Sequence, residues 1–154
     1  MVWPTIVTAV VAIYSAVLST YILITKSKEE KRQLKVELSF GFLTEGPEVS
    51  QEMLFVTASN TGFRPITLNA SGILLPHKQQ LLFMVPKSNV QFPYELLEGK
   101  NCIVWIEVKV LVQDLKKNSY SGKVKLKGFF RDATRAVYKS KPITININKW
   151  DKKS

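Results

Sequence analysis

Residues 1–25 carry no charged side chain, and from Thr5 to Ile24 the chain reads TIVTAVVAIYSAVLSTYILI. A helix needs about 20 such residues, at about 1.5 Å rise each, to cross the hydrocarbon core of a bilayer. It satisfies its own backbone donors and acceptors, which lipid cannot do. The stretch therefore predicts one transmembrane helix over residues 1–25 with a soluble domain behind it. A cleavable signal would begin with basic residues, have a shorter apolar core and end on small residues. Here no Lys or Arg precedes the run, and its exit, Tyr21-Ile22-Leu23-Ile24-Thr25-Lys26, is bulky. A buried helix of a soluble fold would be shorter and keep a polar face. A retained anchor is the expectation.

The flanking charge sets an orientation. Only the α-amino group lies before the run, whereas Lys26, Lys28, Lys31, Arg32 and Lys35 follow it against Glu29 and Glu30. Positive residues beside a span stay cytoplasmic. The N-terminus is thus expected outside and residues 26–154 in the cytoplasm, with those five cations in contact with membrane lipid. The single cysteine, Cys102, suits a reducing compartment. Asn69-Ala70-Ser71 fits the glycosylation pattern, which matters only outside the cytosol. Within the span, Thr8, Ala12, Ser15, Ala16, Ser19 and Thr20 fall on one side at spacings of three and four. Small residues let helices approach closely, so this side is a candidate for self-association or a partner helix, although such residues are common in spans generally. No ionisable residue lies within the span, so nothing points to an ion path.

Residues 26–33 read as a charged juxtamembrane linker, or as the helix continuing past the headgroups. Residues 34–150 suit one domain with its own core, and 151–154 form a basic tail. Leu34 to Phe40 alternates apolar and polar residues, the pattern of a half-buried strand. Further short runs follow at Met53–Ser59, Ile66–Leu75 with Gly72 as a bulge, Leu81–Val85, Cys102–Val108, Lys123–Arg131 and Val137 on to Asn148. Turn signals separate them: Asn60-Thr61-Gly62, Pro76 to Gln80, Glu98 to Asn101, Ser121-Gly122 and Asp132 to Arg135. Such spacing predicts an all-β antiparallel sandwich of about seven strands. One piece differs. Val108, Leu111, Val112 and Leu115 recur at helical spacing with Lys109, Gln113, Lys116 and Lys117 opposite, predicting one short helix that stops near Asn118.

The sequence Asn60-Thr61-Gly62-Phe63-Arg64-Pro65 followed by Ile66-Thr67-Leu68 is similar to the asparagine-x-glycine corner of many immunoglobulin-like modules, bacterial adhesion-type ones included. The ending, Gly128 to Ala133 through Tyr138-Lys139-Ser140-Lys141-Pro142, resembles the last hairpin of small membrane-anchored bacterial proteins of unassigned role. The resemblance covers most of residues 34–150 and consists of turn chemistry. It implies an immunoglobulin-like sandwich and a bacterial source. It carries no catalytic residue across, because that fold class hosts many functions. The Cys-Trp-Cys signature of antibody domains is absent.

The formal charge of +10 is unevenly placed. Residues 36–108 hold four Lys/Arg against seven Asp/Glu, whereas residues 109–154 hold thirteen against three. Lys123, Lys125 and Lys127 share parity and hence one side of a strand, with Val124 and Leu126 on the other. Lys139 and Lys141 would lie on the neighbouring strand. Ile143, Ile145 and Ile147 match their parity, so the register must flip near Pro142 if both assignments hold. Arg131, Arg135, Lys149, Lys152 and Lys153 would add to the patch or its rim. These lysines form a candidate anion- or partner-binding surface for lipid, an acidic protein, or a nucleic acid or nucleotide, with Phe129, Tyr120 and Tyr138 available for stacking. The plain alternative is a solvated face that discourages edge pairing.

Nothing points to catalysis. His77, the one histidine, sits in a turn, and with a single cysteine it makes no zinc-type cluster. Cys102 lies in an apolar run, the place for an inert thiol. Phosphate loops and nucleophile elbows are missing. No catalytic residue, cofactor or metal is expected. Trp3 and Tyr21 would mark the two interfaces of the span, Trp105 would sit under the short helix or at a contact, and Trp150 would cap the last strand. The reading is a membrane-anchored adaptor that recruits or scaffolds a partner. Its alternatives are a sensor whose sandwich binds a small anion and alters assembly of the spans, and an extracytoplasmic adhesion module.

Overall fold

The apolar N-terminal run forms helix α1, Trp3–Glu29, in a computed structural model that describes residues 2–29, 31–83 and 87–151. The helix passes the expected end at residue 25, and Lys31 N–H still donates to Lys28 O at 3.4 Å. The segment Trp3–Lys28 is long and apolar enough to cross a membrane, with mean hydropathy 2.1 and no part of its apolar window buried against the rest of the chain. The expected strand end at Met84-Val85, the Glu30 step of the linker and the tail lysines Lys152 and Lys153 lie outside the described residues.

The remainder is mostly antiparallel sheet. Its strands are β1 (Leu34–Gly41), β2 (Thr44–Glu45), β3 (Glu48–Val49), β4 (Met53–Asn60), β5 (Ile66–Leu74), β6 (Gln80–Leu82), β7 (Lys87–Ser88), β8 (Tyr94–Leu96), β9 (Asn101–Glu107), β10 (Lys123–Asp132), β11 (Val137–Lys139) and β12 (Ile143–Asn146). One sheet runs β1-β4-β9-β7. The other centres on β10 and β5, and each flank is a broken strand: β12 then β11 beside β10, β6 and β8 beside β5. The β2–β3 hairpin stands apart. Counting each broken flank once, the two larger sheets have eight strand positions among the described residues.

Alternation decides which side of each strand is buried. One core cluster joins Val36, Val56, Ala58 and Val104 of the first sheet to Ile66, Leu68 and Phe130 of the second. The other joins Leu54 to Ile73, Leu126 and Ile145. Helix α2, Val108–Lys117, adds Val108, Leu111, Val112 and Leu115 to the second cluster, the four residues whose spacing predicts the helix. It stops at Asn118, whose side-chain amide donates to Asp114 O at 2.8 Å. The final strand is shorter than expected. Ile147–Asp151 is a turn of helix, α3, and Trp150 packs on the core cluster instead of capping a strand.

Two register shifts shape the second sheet. Phe129 faces Lys139, yet Leu126 faces Ile143, so one extra residue enters between β11 and β12. The bulge at Ser140-Lys141-Pro142 is the expected flip: Lys139 points outward and Ile145 inward. Ser140 holds it, accepting Gly128 N–H on Oγ at 2.8 Å while its own N–H donates to Gly128 O at 2.8 Å. The second shift corrects the placement at Gly72. It lies between Arg131 and Asp132, opposite Ala70 and Leu68, with Asn69 skipped. Gly72 itself is paired, and a Cβ there would fall 2.2 Å from Leu81 O and 2.8 Å from the Phe129 ring. Phe129 shares the parity of the outward lysines but is fully buried, its ring close against the space above Gly72.

Candidate functional site

The second sheet's outer side carries a groove of about 850 Å³ lined by Lys78, Lys123, Lys125, Lys127 and Lys139. Gln80 and the apolar Leu74, Leu75, Pro76 and Pro142 complete it, and no acidic residue is among its lining. Lys127 faces Leu74 across the ladder, and Leu74 faces Gln80, so one row crosses three strands. Arg131 donates to Gln80 Oε1 at 3.2 Å from the same side. Lys78 is a groove residue that sequence reasoning missed, treating its segment only as a connection. It sits in a turn closed by Leu75 N–H to Gln79 O at 2.8 Å. His77 and Lys78 both adopt left-handed backbone, with φ 62° and 60°. Each such non-glycine residue costs roughly 1–2 kcal/mol. Tyr120 braces this turn, its hydroxyl donating toward Pro76 O and Gln79 Oε1.

The five closing-hairpin lysines do not form one set. Lys123, Lys125, Lys127 and Lys139 line this groove, while Lys141, in the bulge itself, lines a second cavity of about 620 Å³ with Lys35 and Glu37 of β1. Lys139 borders both. The aromatic residues considered for stacking are absent from the groove lining: Phe129 is buried, Tyr138 bonds to Asp132, and Tyr120 packs on the core.

The juxtamembrane cations also divide. Lys26, Lys28 and Lys31 are exposed. Lys35 pairs with Glu37 at 2.6 Å. Arg32 turns to the domain, where it meets Asp132 Oδ2 at 3.8 Å and donates to Thr134 Oγ1 at 3.4 Å. The Asp132 side chain is 1% exposed. Its Oδ1 accepts Thr134 N–H at 2.8 Å, the Thr134 hydroxyl at 2.6 Å and Ala136 N–H at 3.0 Å. Its Oδ2 accepts the Tyr138 hydroxyl at 3.0 Å. Burial alone would raise this carboxyl, but the hydrogen bonds from Thr134, Tyr138 and Ala136 outweigh it and hold the group below the usual carboxylate range. Burial, then the bond to Asp132, pushes Tyr138 up.

The adjoining loop is equally organised. Asn60, 2% exposed, donates from Nδ2 to Arg64 O at 2.7 Å and Leu96 O at 2.9 Å, and accepts Gly62 N–H at 3.0 Å. Thr61 N–H donates to Gln33 O at 3.0 Å. A Cβ on Gly62 would lie 3.0 Å from Gln33 N and 3.1 Å from Lys31 O, so the linker runs directly over this glycine. The linker is therefore seated on the domain at one end, and the lysine groove runs away from it along β10, from Lys139 opposite Phe129 to Lys123.

Remaining candidates are quiet. Cys102 is fully buried, and burial raises its thiol to about 11. Among the described residues no group of three or more His, Cys, Asp or Glu is placed to hold a metal. On the first sheet's outer side Phe55 and Trp105 form a tilted pair with centroids 6.4 Å apart; Trp105 thus packs there and is not part of the cluster under α2. In α1, the hydroxyls of Thr8 and Thr20 donate to Pro4 O and Ala16 O, each at 2.8 Å, while Ala12, Ser15, Ala16 and Ser19 are exposed along the helix.

No family model and no curated protein matches the chain. Among solved structures it is similar to a Bordetella pertussis protein named ApaA, with 11% identity over 75% of this chain and 94% of that one at a TM-score of 0.39. It is also similar to a structural-genomics target solved by X-ray crystallography, with 8% identity over 77% and 88% and a TM-score of 0.30. Likenesses this distant carry no argument about function.

Proposed function

We propose that the chain is a membrane-anchored binding protein that holds an immunoglobulin-like sandwich on the cytoplasmic side and recruits an acidic protein partner. Strand order supports the fold reading. With β1, β4, β5, β7, β9, β10 and the β11–β12 pair taken as strands A, B, C, D, E, F and G, the two sheets carry A-B-E-D and G-F-C, the immunoglobulin order, with β6 and β8 as an added flank beside C. The length and hydropathy of α1 support anchoring, and the cations at its exit support the orientation.

The observation that carries the binding reading is the groove of five lysines with no acidic residue in its lining. Its apolar members suit a polypeptide, and the absence of an aromatic platform disfavours nucleic acid. Position disfavours lipid as its occupant. Its lysines lie away from Asp132, where the linker docks: Lys139 faces Phe129, three residues or about 10 Å along β10, and Lys123 is nine residues or about 30 Å away, at roughly 3.3 Å per residue. Attraction to a charged leaflet fades over about 8 Å at physiological salt.

The test uses the full chain in nanodiscs with poly-L-glutamate as probe. Reversing Lys123, Lys125 and Lys127 to Glu is expected to weaken salt-sensitive binding at least about ten-fold. Unchanged affinity in the folded variant overturns the groove reading. A reporter fused after Ser154 that is active only outside the cell would overturn the orientation.

A further inference from the structure

We propose that the loop end of the domain docks on the leaflet from which the chain's own helix emerges, using Phe63, Leu97, Lys100 and Arg135 as its contact surface. The inference rests on the anchoring reading of α1 and concerns a different surface from the lysine groove.

Proximity is set by one residue. Lys31 donates its N–H to the last turn of α1, at Lys28 O, and its own carbonyl lies 3.1 Å from the Cβ position of Gly62. Gln33 O accepts Thr61 N–H, and Arg32 reaches Asp132. The β4–β5 loop and the β10–β11 turn therefore sit against Lys31, Arg32 and Gln33, which follow the helix.

That end presents apolar and cationic side chains together. Phe63 is 62% exposed and Leu97 50%. Each adjoins a residue whose carbonyl is fixed by the same amide, because Asn60 Nδ2 bonds to both Arg64 O and Leu96 O. Lys100 O accepts Asn60 N–H in the same corner. Arg135, with φ 68°, lies between Thr134 and Ala136, which both donate to Asp132. Apolar side chains on rigid loops, flanked by cations, suit the interface of an anionic bilayer: rings and alkyl groups enter the headgroup boundary while cations meet phosphate. Pre-set loops lose little freedom on contact.

The experiment reconstitutes the full chain in phosphatidylcholine vesicles containing phosphatidylglycerol and lipid-borne nitroxide. An environment-sensitive dye is placed through A133C beside the contact residues, or through Q113C on α2 at the far end, Cys102 being buried. Quenching at 133 is expected to exceed that at 113 severalfold. It should fall about two-fold in F63S/L97S/R135E, and by a similar factor in the unsubstituted loop when phosphatidylglycerol is omitted. Equal quenching at both sites, or quenching at 133 unmoved by both the triple substitution and the lipid change, overturns docking and leaves anchoring intact. Failure of the chain to float with vesicles after carbonate washing overturns anchoring, and docking with it.

Discussion

The two ends of the domain use positive charge in opposite ways. At the linker end, Arg32 meets a carboxylate that is 1% exposed and already accepts four hydrogen bonds. Along the sheet from Lys139 out to Lys123, five lysines share a groove whose lining has no acid. The first arrangement spends its charge on holding the chain together. The second leaves it facing solvent, where lysines repel and must be held on a frame by other forces. Net charge alone does not distinguish a structural cation from a binding one; the nearest carboxylate does.

The largest expected effect breaks the frame under the groove. Gly72→Ala puts a methyl 2.2 Å from Leu81 O, so β6 must shift, and overpacking of this kind costs about 3 kcal/mol. Urea denaturation measures it, and an unchanged midpoint would show that β6 does not hold the groove. Next comes the linker end. Asp132→Ala strands two backbone N–H groups and two hydroxyls, with an expected loss of about 2 kcal/mol at neutral pH. Because folding lowers this carboxyl, its contribution is complete above about pH 4 and disappears as pH falls through the depressed folded value. The variant and the unsubstituted protein should therefore converge in acid, and a pH-independent gap would mean that the charge is not involved.

Reversing Lys123, Lys125 and Lys127 should change stability by less than about 0.5 kcal/mol, as expected for exposed side chains. Thermal melts that drop by several degrees would make these lysines structural and erase the contrast. The smallest effect has the opposite sign. Ser71 Oγ is buried without a hydrogen-bond partner among the described residues, so Ser71→Ala should stabilise the domain by about 1 kcal/mol. A loss of stability would mean that the hydroxyl is satisfied in solution.

What was legible in the sequence follows from the range of the interactions. Helix α2 was readable to its last residue because Val108, Leu111, Val112 and Leu115 repeat at 3.6 spacing and Asn118 ends it locally. The flip near Pro142 was readable because parity conflicts within eight residues. Gly72 was misplaced because its reason is tertiary: the Leu81 carbonyl and the Phe129 ring occupy the space of a side chain. Phe129 itself shares parity with exposed lysines, so alternation cannot reveal that it is buried. Asp132 was read as a turn residue, which it is, but its partner Arg32 lies far away in sequence and no local pattern joins them. Lys78 required knowing that Leu74, Gln80 and Lys127 share one row.

The seat of Lys31 between α1 and Gly62 has a mechanical consequence. With its N–H bonded to Lys28 O and the next residues tied to the domain through Arg32 and Gln33, the domain behaves as a lever fixed to the end of a rod. Lys123 is the tip, about 30 Å from the fulcrum. A tilt of about ten degrees at the helix end sweeps that tip through roughly 5 Å, enough to carry a lysine row from one ladder position to the next.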